Sequence, residues 1–133
     1  MKVLKLLTDL HNICVGEKEL ITLVHVGAAN FRITVIPKIH KENVYELTPD
    51  IARHIFEAVP KIASAIKAEY NPIGLNTLNN NGEHAGQSVF HFHMHLIPRY
   101  GKEDGFGAVW KTHESDYTPE ELQKIAASIN QHL

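Results

Sequence analysis

The stretch HFHMHLIPRY, from His91 to Tyr100, places a histidine at every second position three times and then reaches a proline. Successive side chains of a β-strand point to opposite faces of the sheet, so a period of two predicts a strand. We predict this strand from Ser88 to Ile97. The apolar face should belong to the core and carries Phe90, Phe92, Met94 and Leu96. The opposite face should point away from the core and carries His91, His93 and His95.

A row of imidazoles suits two kinds of chemistry. Neutral imidazole is a nucleophile near pH 7 and imidazolium is an acid, so neighbouring histidines can divide attack and leaving-group protonation between them. His-x-His pairs on a strand are also good zinc ligands. A zinc hydrolase usually adds a carboxylate as base or ligand, and FHFHMHLIPRY contains none.

The loop before the row favours phosphate chemistry. It offers an amide, a hydroxyl and backbone N–H groups with little steric cover, which together can hold the oxygens of a phosphate. The residues that carry these groups are Asn80, Gly82, Gly86, Gln87 and Ser88.

The remaining elements follow from local signals. RITVIP, residues 32–37, is rich in β-branched residues and predicts a strand, and NPIGLNTLN predicts another. Apolar residues at spacings of three and four predict a long helix up to Tyr70, with Thr48 as N-cap and a kink at Pro60. Thr118 and Glu121 predict a capping box at the start of a final helix. The short loop NNGEHAGQ predicts antiparallel pairing of the two strands that it joins.

Composition limits the classes of function. A chain of 133 residues without repeats or linkers predicts a single domain over residues 1–133. The net charge of -2 gives no basic surplus, so we expect no nucleic-acid partner. The single cysteine fits a reducing compartment, and neither a signal peptide nor a membrane span is predicted. We therefore expect a cytoplasmic protein with no membrane partner.

These residues resemble the histidine triad (HIT) family, and its bacterial branch in particular. NTLNNNGEHAGQSVFHFHMHLIPRY looks like the family signature, and residues 91–97 follow its His-φ-His-φ-His-φ-φ motif (φ, apolar) without a mismatch. TVIPKIH resembles the strand end before the family's helix, and GFGAVWKTH resembles the bacterial tail. The resemblance covers residues 34–133, whereas residues 1–32 depart from the family pattern.

The resemblance implies an α+β fold with an antiparallel sheet, a long helix and a C-terminal helix, in which two protomers of a homodimer share one sheet. It also implies hydrolysis or transfer at the α-phosphorus of purine nucleotides, either nucleoside phosphoramidates or dinucleoside polyphosphates. His93 matches the nucleophile that carries the nucleotidyl group, and His95 matches the histidine that contacts the phosphate or the bridging atom. His91 completes the row, while Asn80, Gly86, Gln87 and Ser88 fall in the phosphate and leaving-group pocket.

Two alternatives stay open at this stage. In zinc-binding members of the family, two cysteines join two histidines that match His40 and His91, but only Cys14 is present here. Phe31 and Arg32 stand where the family has Gly-His, and that histidine normally supports the active-site row. The chain is therefore either an enzyme that requires no cofactor, a nucleotide-binding module with little turnover, or a zinc protein that uses its histidines as ligands.

Overall fold

The described strands form one antiparallel sheet. The computed structural model describes residues 12–14, 20–26, 31–109 and 111–133. Within them the strand order is β1-β2-β3-β5-β4. The strands are β1 (Asn12–Cys14), β2 (Leu20–Val26), β3 (Phe31–Pro37), β4 (Gly74–Leu78) and β5 (Met94–Arg99). The predicted antiparallel pairing of β4 with β5 is confirmed, whereas β1 and β2 were not predicted.

The long helix α1 (Pro49–Tyr70) begins and ends as predicted. The hydroxyl of Thr48 accepts the N–H of Ile51, and Asn71 closes the helix in the left-handed conformation. Its apolar stripe packs on β3 and β5, because spacings of three and four keep those side chains on one face. The core formed in this way contains Ile33, Val35, Ile55, Ala58, Val59, Ile66, Phe92, Met94 and Leu96.

The histidine-bearing stretch differs from the prediction in two ways. The strand covers Met94–Arg99, so Ser88 to His93 precede it, and Phe90 is 45% exposed rather than part of the core. The backbone N–H of Phe92 donates to the carbonyl of Lys41, outside the strand ladder. The second difference is the burial of the histidines. They were expected to face away from the core, but His91 is only 1% exposed and His93 and His95 are each 8% exposed.

An ion pair orders the chain after β5. Arg99 binds both carboxylate oxygens of Asp104, at 2.7 and 2.9 Å, and donates to the carbonyl of Phe106. The carboxylate of Asp104 also accepts the N–H groups of Tyr100 and Phe106. We call the Arg99–Asp104 pair the loop clamp, because it holds residues 99–106 as one compact turn.

The final helix α2 (Pro119–Asn130) has the predicted capping box, in which Thr118 and Glu121 exchange side-chain and backbone hydrogen bonds. None of its described side chains is buried in the protomer. Within residues 31–109 and 111–133, no helix is both long and apolar enough to cross a membrane.

Candidate active site

The triad lies where β5 begins, against the segment that leaves β3. His95 pairs with Thr34 of β3 and with Leu78 of β4, so it occupies the central strand of this half of the sheet. His91 and His93 come just before the strand. The ring of His91 donates to the carbonyl of Pro37, and the N–H of Phe92, between the two histidines, donates to the carbonyl of Lys41. The site is therefore built from two parts of the chain that are more than 50 residues apart, which explains its burial.

His93 is held with one ring nitrogen free for attack. Its Nδ1 lies 2.7 Å from the backbone carbonyl oxygen of His91. A carbonyl can only accept, so Nδ1 carries the proton, and in the neutral ring Nε2 keeps its lone pair. Asn79 donates from Nδ2 to the carbonyl of His93 at 2.9 Å, which fixes the backbone at this residue. In this tautomer Nε2 has the lone pair that a nucleophile needs.

His91 is fixed by two hydrogen bonds. Its Nε2 lies 2.8 Å from the carbonyl oxygen of Pro37 and must donate there. Its Nδ1 lies 3.1 Å from Nδ1 of His40, so in the neutral pair His40 is the donor. Burial is the main cause that lowers the pKa of His91, opposed by the bond to Pro37 and assisted by the charges of His40 and His93. The His91 ring is accordingly neutral near pH 7.

His95 meets His93 edge-on. The two ring centroids lie 4.9 Å apart with an interplanar angle of 82°. Nδ1 of His95 lies 3.2 Å from the hydroxyl of Thr34, the residue directly opposite on β3. A hydroxyl both donates and accepts, so this contact orients the ring in either protonation state.

The predicted phosphate loop is closed by the side chain of Gln87. Its Oε1 accepts the N–H of Gly82 at 2.7 Å, and its Nε2 donates to the carbonyls of Glu42 and Val89 at 2.6 and 3.2 Å. Gln87 is only 3% exposed. Its amide thus ties the loop to the segment after β3, while its role as a substrate contact stays a prediction.

The other predicted substrate contacts, Asn80, Gly86 and Ser88, belong to the same loop as Gln87. Gly86 has φ +86°, a conformation that favours glycine, and its carbonyl accepts from Nδ2 of Asn80 at 3.4 Å. Ser88 is exposed. Asn79 and Thr34 support the row and were not predicted from the sequence. Asn79 stands in a run of three asparagines, which was the available signal, whereas Thr34 is recognisable only from the pairing of β3 with β5.

The His40–His91 pair offers half of a zinc site. Two imidazole nitrogens bound to one tetrahedral zinc at 2.0–2.1 Å stand about 3.3 Å apart, close to the observed separation. Within the described residues, no three His, Cys, Asp or Glu side chains are gathered so that they could hold a metal. His11 and the side chain of Cys14 lie outside the described part. The neutral hydrogen bond accounts for the same distance, and zinc at His40 and His91 stays a prediction.

Known proteins share this sequence and fold. The family model described as HIT domain matches residues 11–102. Protein hit of Bacillus subtilis is 71% identical over 99 residues, which cover 74% of this chain and 68% of that protein. Adenosine 5'-monophosphoramidase of Schizosaccharomyces pombe is 35% identical over 96 residues, covering 72% of this chain and 68% of that protein. The crystal structure of a HIT family member from Bacillus subtilis has a TM-score of 0.89 and 52% identity, covering 100% of this chain and 96% of that one.

Proposed function

The chain belongs to the HIT family, and from that membership and the geometry of His93 we propose that it is a nucleotide hydrolase or transferase acting at an α-phosphorus. One observation carries the proposal: Nδ1–H of His93 is bound to the carbonyl of His91, which leaves Nε2 as the nucleophile. The name of the relative from Schizosaccharomyces pombe supports an adenosine phosphoramidate as substrate. A dinucleoside polyphosphate is the other substrate class that the same attack would serve.

The first half-reaction forms a nucleotidyl-histidine. The lone pair of Nε2 on His93 forms a bond to phosphorus while the bond from phosphorus to the leaving nitrogen or oxygen breaks. The leaving group keeps that electron pair and takes a proton. We assign this proton to protonated His95, whose ring lies next to that of His93. His93 becomes a cation in this step, so its Nδ1–H bond to the His91 carbonyl becomes charge-assisted and stronger. This gain is specific to the intermediate and its transition state.

The second half-reaction releases the nucleotide. Water attacks phosphorus, the bond to Nε2 breaks, and the electron pair returns to the ring of His93. Neutral His95 accepts the proton of the water and is ready for the next turnover. Ser88 and the backbone N–H groups near Gly86 are suited to the phosphate oxygens, since such donors stabilise developing negative charge.

We also propose a homodimer joined through β4. This strand ends the described sheet order, and no described strand pairs with its outer edge. Ile73, just before β4, is 79% exposed, and Phe56 on α1 is also exposed. An open strand edge, together with exposed apolar side chains, suits a second copy of the same chain. Sedimentation velocity at micromolar concentration should give a dimer, and a monomer would contradict this part of the proposal.

A comparison of His93→Ala with the parent tests the function. The variant lacks the attacking nitrogen, so turnover of an adenosine phosphoramidate should fall at least about a thousandfold. Nucleotide affinity should change little. The unfolding midpoint should fall, because His93 is buried and its hydrogen bond to the carbonyl of His91 is lost, so both proteins are assayed at a temperature at which circular dichroism shows them folded. His132→Ala, which alters an exposed histidine near the C-terminus, is the matched control and should behave as the parent. Nucleotide binding without turnover in the parent would instead identify a nucleotide-binding module.

A further inference from the structure

We propose that His40 is a positioning residue that holds the ring of His91 in the orientation and tautomer selected by the carbonyl of Pro37 and, through it, positions the nucleophile His93. This inference rests on the proposed function for its kinetic consequence. Its structural part stands on three contacts in series: His40 to His91, the ring of His91 to Pro37, and the carbonyl of His91 to His93.

The direction of each hydrogen bond follows from the groups involved. The carbonyl of Pro37 accepts from Nε2 of His91, and a neutral imidazole carries one N–H, so Nδ1 of His91 is an acceptor. The atom that faces it is Nδ1 of His40, at 3.1 Å. His40 must therefore hold its proton on Nδ1 and donate it. Without that donor, Nδ1 of His91 would lose its partner within the protein, and the ring could turn over and lose its bond to Pro37.

The coupling reaches the nucleophile through the backbone. The carbonyl that accepts Nδ1–H of His93 belongs to His91, whose ring is almost completely buried and bound at both nitrogens. We expect a change in the orientation of the His91 ring to shift this carbonyl, whose peptide group is also held by the bond from the N–H of Phe92 to Lys41, the residue next to His40. His93 then loses the partner that keeps its proton on Nδ1, and part of the population presents N–H rather than a lone pair to phosphorus. His40 thus acts without touching the substrate.

A single substitution separates this role from zinc binding. The side-chain Nδ2 of asparagine stands at the same number of bonds from the backbone as Nδ1 of histidine and donates N–H. His40→Asn therefore keeps the donor, whereas His40→Ala removes it. Asparagine is not among the residues that bind zinc in protein sites. Because His40 is exposed, both variants should fold.

The kinetic test compares His40→Asn and His40→Ala with the parent and with the control His132→Ala. For an adenosine phosphoramidate, His40→Ala should lower kcat about tenfold with KM within about twofold, since one hydrogen bond to a positioning group is lost. His40→Asn should retain at least half of the parent kcat. Parent-like kcat in His40→Ala would overturn the proposal. It would also be overturned if both variants were equally impaired and both lost a stoichiometric zinc present in the parent.

Nitrogen NMR of the histidine rings gives a readout that does not depend on turnover. At pH 7.5 the parent and His40→Asn should show His91 protonated on Nε2 and His93 protonated on Nδ1. His40→Ala should show mixed tautomers for both rings. If the parent has no turnover, the proposed function fails, but these spectra still decide the role of His40. Unchanged spectra in His40→Ala would overturn the proposal.

Discussion

Replacement of Gln87 should lower the stability of the protein, because its side-chain amide binds other parts of the chain. The three hydrogen bonds of its amide join Gly82, Glu42 and Val89, and the side chain is 3% exposed. Each such bond contributes about 0.5–1.5 kcal/mol net, so Gln87→Ala should lower the free energy of unfolding by about 2–4 kcal/mol. That is a large fraction of the 5–15 kcal/mol typical of a domain.

Urea denaturation followed by circular dichroism measures this loss. With a slope of about 2 kcal/mol per molar urea, the middle of the usual range, the midpoint should fall by about 1–2 M. Gln123→Ala, at an exposed position on α2, is the matched control and should shift the midpoint by less than about 0.3 M. If Gln87→Ala unfolded at the parent midpoint but lost kcat/KM, the side chain would act on the substrate rather than on the loop.

Gln87→Glu sharpens the same test. The carboxylate keeps an acceptor for the N–H of Gly82 but puts a second oxygen against the carbonyl of Glu42, where the parent has a 2.6 Å hydrogen bond. Two acceptors in contact raise the pKa of the new carboxyl in the folded state above its unfolded value. Relative to the parent, the variant should therefore be least stable at pH 7 and should recover as the pH falls below the raised folded pKa. If the difference in stability between the variant and the parent did not change with pH, the assignment of Nε2 of Gln87 as the donor to Glu42 would be wrong.

Three further predictions concern the support of His95, the loop clamp and the phosphate loop. Thr34→Val removes the hydroxyl that orients His95 and should lower kcat about two- to tenfold in steady-state assays, and an unchanged kcat would exclude this support. The hydrogen bond within the loop clamp is the main cause that lowers the pKa of Asp104, so the clamp contributes stability above the unfolded pKa near 4 that is lost as the pH falls through the folded value. Urea midpoints from pH 7 to pH 2 should therefore fall less steeply for Asp104→Asn than for the parent, and equal slopes would contradict this. Gly86→Ala places alanine in the left-handed conformation and should lower the free energy of unfolding by about 1–2 kcal/mol in urea denaturation. The control Gly107→Ala, where an added Cβ meets nothing within 4 Å, should lower it less. Equal losses would show that the conformation of Gly86 is not required.

The parts of the fold that could be predicted from sequence are those with local causes. Helix α1 follows from Thr48 as N-cap and from apolar spacings of three and four, and α2 follows from its capping box. These signals need no information about distant residues. The strand β2 (Leu20–Val26) was not predicted, although the β-branched residues of LITLVHV are themselves a local signal for a strand.

The errors in the histidine row have a non-local cause. Alternation alone predicts a strand from Ser88, but the N–H of Phe92 bonds to Lys41 instead of a neighbouring strand. The same segment of the chain supplies the carbonyl of Pro37 that sets the proton on His91. The row of histidines was therefore recognisable from the sequence alone. The burial and tautomers of the rings were not, because they depend on which distant backbone groups the fold brings against them.

The most direct test of the central claim is to trap the covalent intermediate on His93. An adenosine phosphoramidate is mixed with the parent and quenched within milliseconds under alkaline conditions, because a phosphorus–nitrogen bond to histidine is labile to acid. Proteolysis and mass spectrometry should then find an adenylyl group on the peptide that contains His93, formed in a burst no slower than turnover, and find none in His93→Ala. Turnover without this adduct, or an adduct on another residue, would contradict attack by Nε2 of His93.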